Sequence, residues 1–301
     1  MIKYVGKILL CALSLVIGTM IGGTVSTVLR LGQPRPPEPV DMQLMGILCF
    51  ISGIIISVVL AELSRSLPGK RRARFAAIAW FVFAWLGINN TIEASIFTTM
   101  GGGPSVIVTM LFPSLFVAGA VVLLFGGREA GTSFSSNLRR FFVNRTAAQW
   151  TIRLSAAVLA FPIIYFLFGM PVGLIVGQFY RDHEFGLQMP SSLSVLIGVQ
   201  IIRSLVSLLA VLPVLVAWPG SRQRFAWTFG LNLFVLSGLY GLIQAYWMPR
   251  TMRSIHAVEL LFDSLAYGWL LAVLLLPRPP VSHLAPAGEV GKPNDNAKLV
   301  A

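Results

Sequence analysis

Apolar residues run in blocks of roughly 18 to 27 along most of the chain and do not alternate with polar ones. A block of that length, at about 1.5 Å per residue, crosses a hydrocarbon core of about 30 Å. Eight such spans are predicted: Ile8 to Leu29, Gln43 to Ala61, Phe75 to Phe97, Pro104 to Phe125, Leu154 to Tyr180, Ser191 to Ala217, Phe225 to Pro249, and Ser254 to Leu276. Backbone amides cannot stay unpaired in lipid, so the expected fold class is all-α, a polytopic bundle of about eight transmembrane helices. The first run follows Lys3 and Lys7 as a signal peptide would, but it is long and shows no clear small-residue cleavage site, so a retained helix is expected. Two stretches are not spans. Gly126 to Trp150 mixes Arg139, Arg140 and Arg145 with Phe141 and Phe142, as in a helix lying on a membrane surface. The tail from Pro277 onward is rich in Pro, Gly, Asn and Lys, and is expected to be disordered.

Composition supports the bilayer as solvent: 56% of the 301 residues are hydrophobic and 11% charged, against about 25% charged in soluble domains. The net charge of +12 does not imply nucleic acid, because Lys and Arg sit in short loops and not on one basic face. Counting loops alternately puts Lys3, Lys7, Arg65, Lys70, Arg71, Arg72, Arg74, Arg128, Arg139, Arg140, Arg145, Arg153, Arg222, Arg224 and Arg278 on one side. Only Arg30, Arg35, Arg181, Arg250 and Arg253 fall on the other. The positive-inside rule then places both termini in the cytoplasm of a multi-pass cell-membrane protein, in the inner membrane for a Gram-negative source. Cys11 and Cys49 lie inside apolar runs without metal-ligand or redox spacing and are read as small core residues.

Short matches recur in order: Gly32-Gln33 with Gly177-Gln178, Pro68-Gly69 with Pro219-Gly220, and Arg74-Phe75-Ala76 with Arg224-Phe225-Ala226. They predict a parallel four-plus-four repeat: a transmembrane half at 1–126, a basic interfacial linker at 127–152, a second half at 153–277, and a cytoplasmic tail at 278–301. Gly18 and Gly22 on the first span, and Gly169, Gly173 and Gly177 on the fifth, form small-residue faces. These are expected to pack inside the bundle, a homo-oligomer seam being the alternative.

An ionisable side chain at the bilayer centre costs at least a few kcal/mol unless paired or hydrated. His256, Glu259 and Asp263 share one face of the eighth span at i, i+3 and i+7. Gln200, Arg203 and Ser207 repeat the spacing on the sixth, and Ser237, Tyr240 and Gln244 on the seventh, while the third carries Asn89, Asn90 and Glu93. Arg203 and Asp263 lie at similar depth, within roughly 5 Å, so a buried pair of Arg203 with Asp263 or Glu259 is expected. One guanidinium cannot neutralise three acids, which leaves carboxyls that must be protonated, hydrated or bound to something positive.

No Walker, dinucleotide, nucleophile-elbow or HExxH motif occurs, and no motif requires a cofactor. The leading expectation is a carrier or permease whose outward-facing site lies between spans three, six, seven and eight. Asn89, Asn90, Glu93, Gln200, Arg203, Tyr240, Gln244, His256, Glu259 and Asp263 are the substrate-binding candidates. The alternative is a membrane enzyme acting on a lipid or lipid-linked substrate, with Glu93, His256 and Glu259 as catalytic candidates and Arg203 or Arg253 clamping an anion. A metal held by His256, Glu259 and Glu93 is a further expectation of that alternative. The third function class is a non-catalytic subunit or assembly factor whose ion pair specifies packing. The bilayer and a small-molecule or lipid substrate are the expected partners, nucleic acid is not.

Overall fold

The computed structural model describes residues 2–32, 40–100, 103–126, 134–181 and 184–277. Gln33, Arg35, Gly101, Gly102, Arg128, Arg278 and the tail lie outside them. Within these limits the chain is an all-α bundle with eight helices long and apolar enough to cross a membrane. They are α1 (Ile2–Val28), α2 (Met42–Ser66), α3 (Arg71–Phe97), α4 (Gly103–Leu124), α6 (Ala147–Arg181), α7 (Leu193–Ala217), α8 (Arg222–Gln244) and α9 (Arg250–Leu275). A short amphipathic helix, α5 (Phe134–Val143), precedes α6 and carries no buried residue. The chain is an integral, multi-pass membrane protein. Large apolar side chains face outward along the spans, Leu174 at 90% exposure, whereas Gln200, Arg203, Ser204 and Ser207 are buried. That distribution suits lipid outside and polar contacts inside.

Helices start and stop for local reasons. The Asp41 carboxylate accepts from the amides of Gln43 and Leu44 at the start of α2, and Ser192 and Ser221 cap α7 and α8 in the same way. At the other end of α4 and α9 basic side chains satisfy the last carbonyls. Lys7 donates to Leu124 O at 2.7 Å; Arg153 donates to Leu274 O at 2.6 Å, Arg145 to Leu275 O at 2.7 Å, and Arg222 to Leu276 O at 2.5 Å. Cations at helix C-termini oppose the negative end of the helix dipole. Burial, and then the nearby Arg153 and Arg222 charges, lower the pKa of Arg145. These contacts gather Lys7, Arg145, Arg153 and Arg222 at one end of the bundle, and Arg224 makes an exposed pair with Glu62 at 2.9 Å.

Packing relations recur between the first four spans and the last four. Span one packs on span four (α1 on α4) and span five on span eight (α6 on α9); α1 on α2 corresponds to α6 on α7, and α3 on α4 to α8 on α9. Between the halves, α2 meets α8 and α7 meets α3. The register of this correspondence is 151 residues: α3 begins at Arg71 and enters a π-helical turn at Ala84, and α8 begins at Arg222 and enters one at Val235. Gly87 and Gly238 occupy the same place in the two turns. Pro68-Gly69 and Pro219-Gly220 share this register, while the Arg-Phe-Ala match, 150 residues apart, is one residue out of it.

Close approach needs glycine at Gly18 and Gly22. A Cβ at Gly18 would lie 2.5 Å from Pro113 Cα, and one at Gly22 would meet the Thr109 backbone. Gly173, in contrast, has open space around it, so the expected internal packing holds on α1 and not along the whole fifth-span face. Overpacking a tight contact costs about 1–3 kcal/mol or more. Gly18→Leu is therefore expected to lower the thermal unfolding midpoint in detergent, while Gly23→Leu, where a Cβ meets nothing within 4 Å, leaves it unchanged.

Candidate functional site

Arg203 organises the polar interior. It is 3% exposed, and its fork donates to both Glu93 oxygens, Nη1 to Oε1 at 3.0 Å and Nη2 to Oε2 at 2.8 Å. Its Nε donates to Asn89 Oδ1 at 2.9 Å and its Nη1 also to Gln200 Oε1 at 3.1 Å. The Phe161 ring lies 5.6 Å from the guanidinium carbon. Asn89 in turn donates to Ser207 Oγ at 2.9 Å, which donates to the Arg203 carbonyl at 2.6 Å. Every feature of a bidentate, charge-assisted pair is present.

The partner differs from the expected Asp263 or Glu259. α7 packs against α3 and α6, and among the described residues it does not run along α9; equal depth on helices that are not neighbours does not make a pair. Glu259 is taken by His256 on its own helix, Nδ1 to Oε2 at 2.8 Å. The other imidazole nitrogen faces the Tyr180 hydroxyl at 3.3 Å. Among the described residues Asp263 pairs with neither base, and its buried Oδ1 has no hydrogen-bond partner.

These groups border two spaces. The outer one is a vestibule of ≈ 410 Å³, into which Glu93, His256, Glu259, Asn90 and Gln244 project among Met, Phe, Tyr and Trp side chains. Its rim is stitched by strand-like pairing of the two outer loops: Thr98 bridges Leu187, Thr99 N donates to Gly186 O at 2.8 Å and Gln188 N to Phe97 O at 2.9 Å. Phe185, with φ 55°, and Gly186, with φ 71°, make the turn that brings Leu187 there. The inner space is a chamber of ≈ 30 Å³ bordered by Trp85, Arg203, Asp263 and Tyr267. Glu93, Tyr165, Ser237 and Leu260 border both and form the partition.

Of the candidates read from sequence, Asn90, Glu93, Gln244, His256 and Glu259 line the vestibule. Asn89 and Gln200 sit behind Glu93 as supports for Arg203. Tyr240 points elsewhere, its hydroxyl toward the Met110 sulfur at 4.0 Å. Tyr165 and Tyr180 on α6 were missed, because single tyrosines in an apolar run read as interfacial or core residues. For the metal, Glu93 and Glu259 are each engaged by a different base, and among the described residues no group of three His, Cys, Asp or Glu side chains is placed to hold an ion. The glycine at position 169 has a local reason: a Cβ there would lie 2.9 Å from Glu259 Oε1, so Gly169 leaves room for the carboxylate between α6 and α9.

Comparison with family models, with curated proteins and with solved structures finds no match.

Proposed function

We propose that the protein is a membrane carrier whose vestibule faces the extracytoplasmic side and takes a small organic cation with an apolar body. The orientation follows the clustering of Lys and Arg at the opposite end of the bundle. The carrying observation is the vestibule itself: an open-mouthed, mainly apolar and aromatic space with two carboxylates at its inner wall. Aromatic faces and carboxylates together recognise an organic cation, the former by cation–π attraction and the latter by charge. Glu93 is already balanced by Arg203. Glu259 is balanced only while His256 carries a proton, so an arriving cation and that proton compete for the same carboxylate. The recurrence of four helices in one orientation, which we read as an internal duplication, is a common frame for carriers with a site between the repeats.

Purified protein in liposomes, offered a labelled quaternary ammonium compound with an aromatic substituent, is expected to show saturable uptake that Glu259→Gln abolishes. Uptake unaffected by Glu259→Gln, or no uptake with any aromatic or alkyl ammonium compound, overturns the reading.

One observation favours a second reading. Tyr180, His256 and Glu259 are arranged as hydroxyl, base and orienting carboxylate, the order used to activate a nucleophile or shuttle a proton in hydrolytic sites. A membrane enzyme using this relay on a lipid or lipid-linked substrate would release a headgroup from vesicle lipids and lose that turnover with Tyr180→Phe. In it, His256 acts as the acid or base and Glu259 positions it, while Glu93 is spent on Arg203.

A further inference from the structure

The inner chamber is separate from the vestibule and its chemistry is different. The outer space holds paired or solvent-facing groups; the inner one holds a carboxylate that makes no ion pair among the described residues, the Arg203 beside it being paired with Glu93. Asp263 stands midway along α9 (Arg250–Leu275), which puts it near the middle of the bilayer. Among the described residues its Oδ1 has no hydrogen-bond partner, and neither has the indole Nε1 of Trp85, a side chain 1% exposed that borders the same chamber. A buried carboxylate oxygen and a buried N–H, each on a residue that borders one small space, call for a partner that donates to one and accepts from the other. Water does both. The volume of ≈ 30 Å³ holds about two waters, since a single water needs about 10–15 Å³ by this kind of measure.

The geometry points to a proton-binding site in this chamber, with Asp263 as the group that takes the proton and ordered water linking it to Trp85 and to the Glu93–Arg203 pair. The charged and titratable groups facing Asp263 are Glu93 from α3, Tyr165 from α6, Arg203 from α7, and Tyr267 and Glu259 from its own helix; α8 brings only the Ser237 hydroxyl. A proton entering from the vestibule crosses the partition at Glu93 and Ser237 and adds to Asp263, turning a carboxylate into a neutral acid with no other bond changed. When it leaves, the chamber regains a negative charge and Arg203 is the cation bordering the same space. Arg203 then has two acids to choose between, Glu93 on the vestibule wall and Asp263 behind it. The occupancy of the inner proton thereby biases the lock that closes the vestibule floor, which is how proton movement would couple to cation movement. The role assigned to the proton rests on the carrier reading; the existence of the site does not.

The test uses the full chain in liposomes and needs no transported substrate. Infrared difference spectra between acid and alkaline buffer are expected to show a protonated-carboxyl C=O band that Asp263→Asn removes and Glu259→Gln retains, both variants keeping the wild-type thermal midpoint. A band that survives in folded Asp263→Asn overturns the proposal. Should the Asn variant not fold, Asp263→Glu carries the test: it shifts the band if Asp263 is the source, and an unshifted band overturns the site. Failure of ammonium uptake leaves these spectra unaffected, so the two readings fail separately.

Discussion

Glu93→Leu is expected to be the most damaging single substitution in the bundle, because it strands the Arg203 guanidinium. Removing one partner of a buried pair costs about 3–5 kcal/mol, since the remaining charge keeps its desolvation penalty and loses its compensation. Arg203 is 3% exposed, and its other acceptors, Asn89 and Gln200, are neutral amides. The thermal midpoint should fall steeply, or the protein should leave the monodisperse fraction in detergent. Glu93→Gln should cost less, because one amide oxygen can still accept from the fork. The informative variant is Glu93→Leu combined with Arg203→Met. Replacing a buried ion pair by apolar side chains is often close to neutral for stability, so the double variant should recover much of the loss while ammonium uptake stays absent. If it recovers both, the pair does nothing beyond specifying how α3 meets α7, and the carrier works without it.

How far the sequence foretells this site depends on the kind of interaction involved. The eight spans were legible because hydropathy registers exactly what the bilayer selects, runs of apolar side chains. Their ends were less so: α3 starts at Arg71 and α6 at Ala147, earlier than the apolar runs at Phe75 and Leu154. Hydrogen-bonded helix continues into the polar interface, where hydropathy has already fallen. Legible too were the side chains that would be expensive in lipid, and Arg203, Glu93 and Glu259 do converge from three helices. What single-chain periodicity could not supply was which helices are neighbours. His256 and Glu259 pair on one helix at a spacing visible in the sequence, whereas Arg203 and Glu93 are 110 residues apart. The π turns add a second obstacle. Each inserts a residue into the helical repeat, rotating everything beyond it, so faces drawn at 3.6 residues per turn no longer apply past Ala84 or Val235. The recurrence of glycine at 87 and 238 was a signal for those turns, visible only once the register of 151 is known.

The two halves share packing but not tightness, and the difference locates the vestibule. In the first half α1 lies close on α4 through Gly18 and Gly22. At the corresponding places in the second half, Gly169 faces the Glu259 carboxylate and Gly173 faces open space. There α9 leans instead on α8, where a Cβ at Gly268 would lie 3.0 Å from Ala226 O and 3.1 Å from Gly230 Cα. One helix moved from one neighbour toward another leaves a gap on the side it has left. That gap holds Glu259, His256, Tyr165 and Tyr180, and the first half, with Val108 at the position of Glu259, has packed its equivalent shut. The polar lining and the loose packing therefore go with the same few positions: small residues where α8 meets α9, and a carboxylate where α6 would otherwise touch.

Locking the rim should separate a carrier from a static cavity. Thr98 and Leu187 form an antiparallel bridge, and the flanking bonds run from Thr99 N to Gly186 O and from Gln188 N to Phe97 O. That arrangement makes Thr98 and Leu187 a non-hydrogen-bonded pair, whose Cα atoms are typically about 4.5 Å apart, within the range a disulfide spans. Thr98→Cys with Leu187→Cys is expected to cross-link on mild oxidation, and Cys11 and Cys49, both buried, should not compete. The bridge joins the loop after α3 to the loop after α6, so it ties together two of the helices that wall the vestibule. A carrier must open and close that mouth in each cycle. Oxidised protein should lose ammonium uptake almost completely and regain it with reductant, while either single cysteine variant keeps wild-type uptake. Cross-linked protein that still transports would mean that the rim moves as one piece and that access to Glu259 opens elsewhere, between α6 and α9, where the glycine face meets lipid.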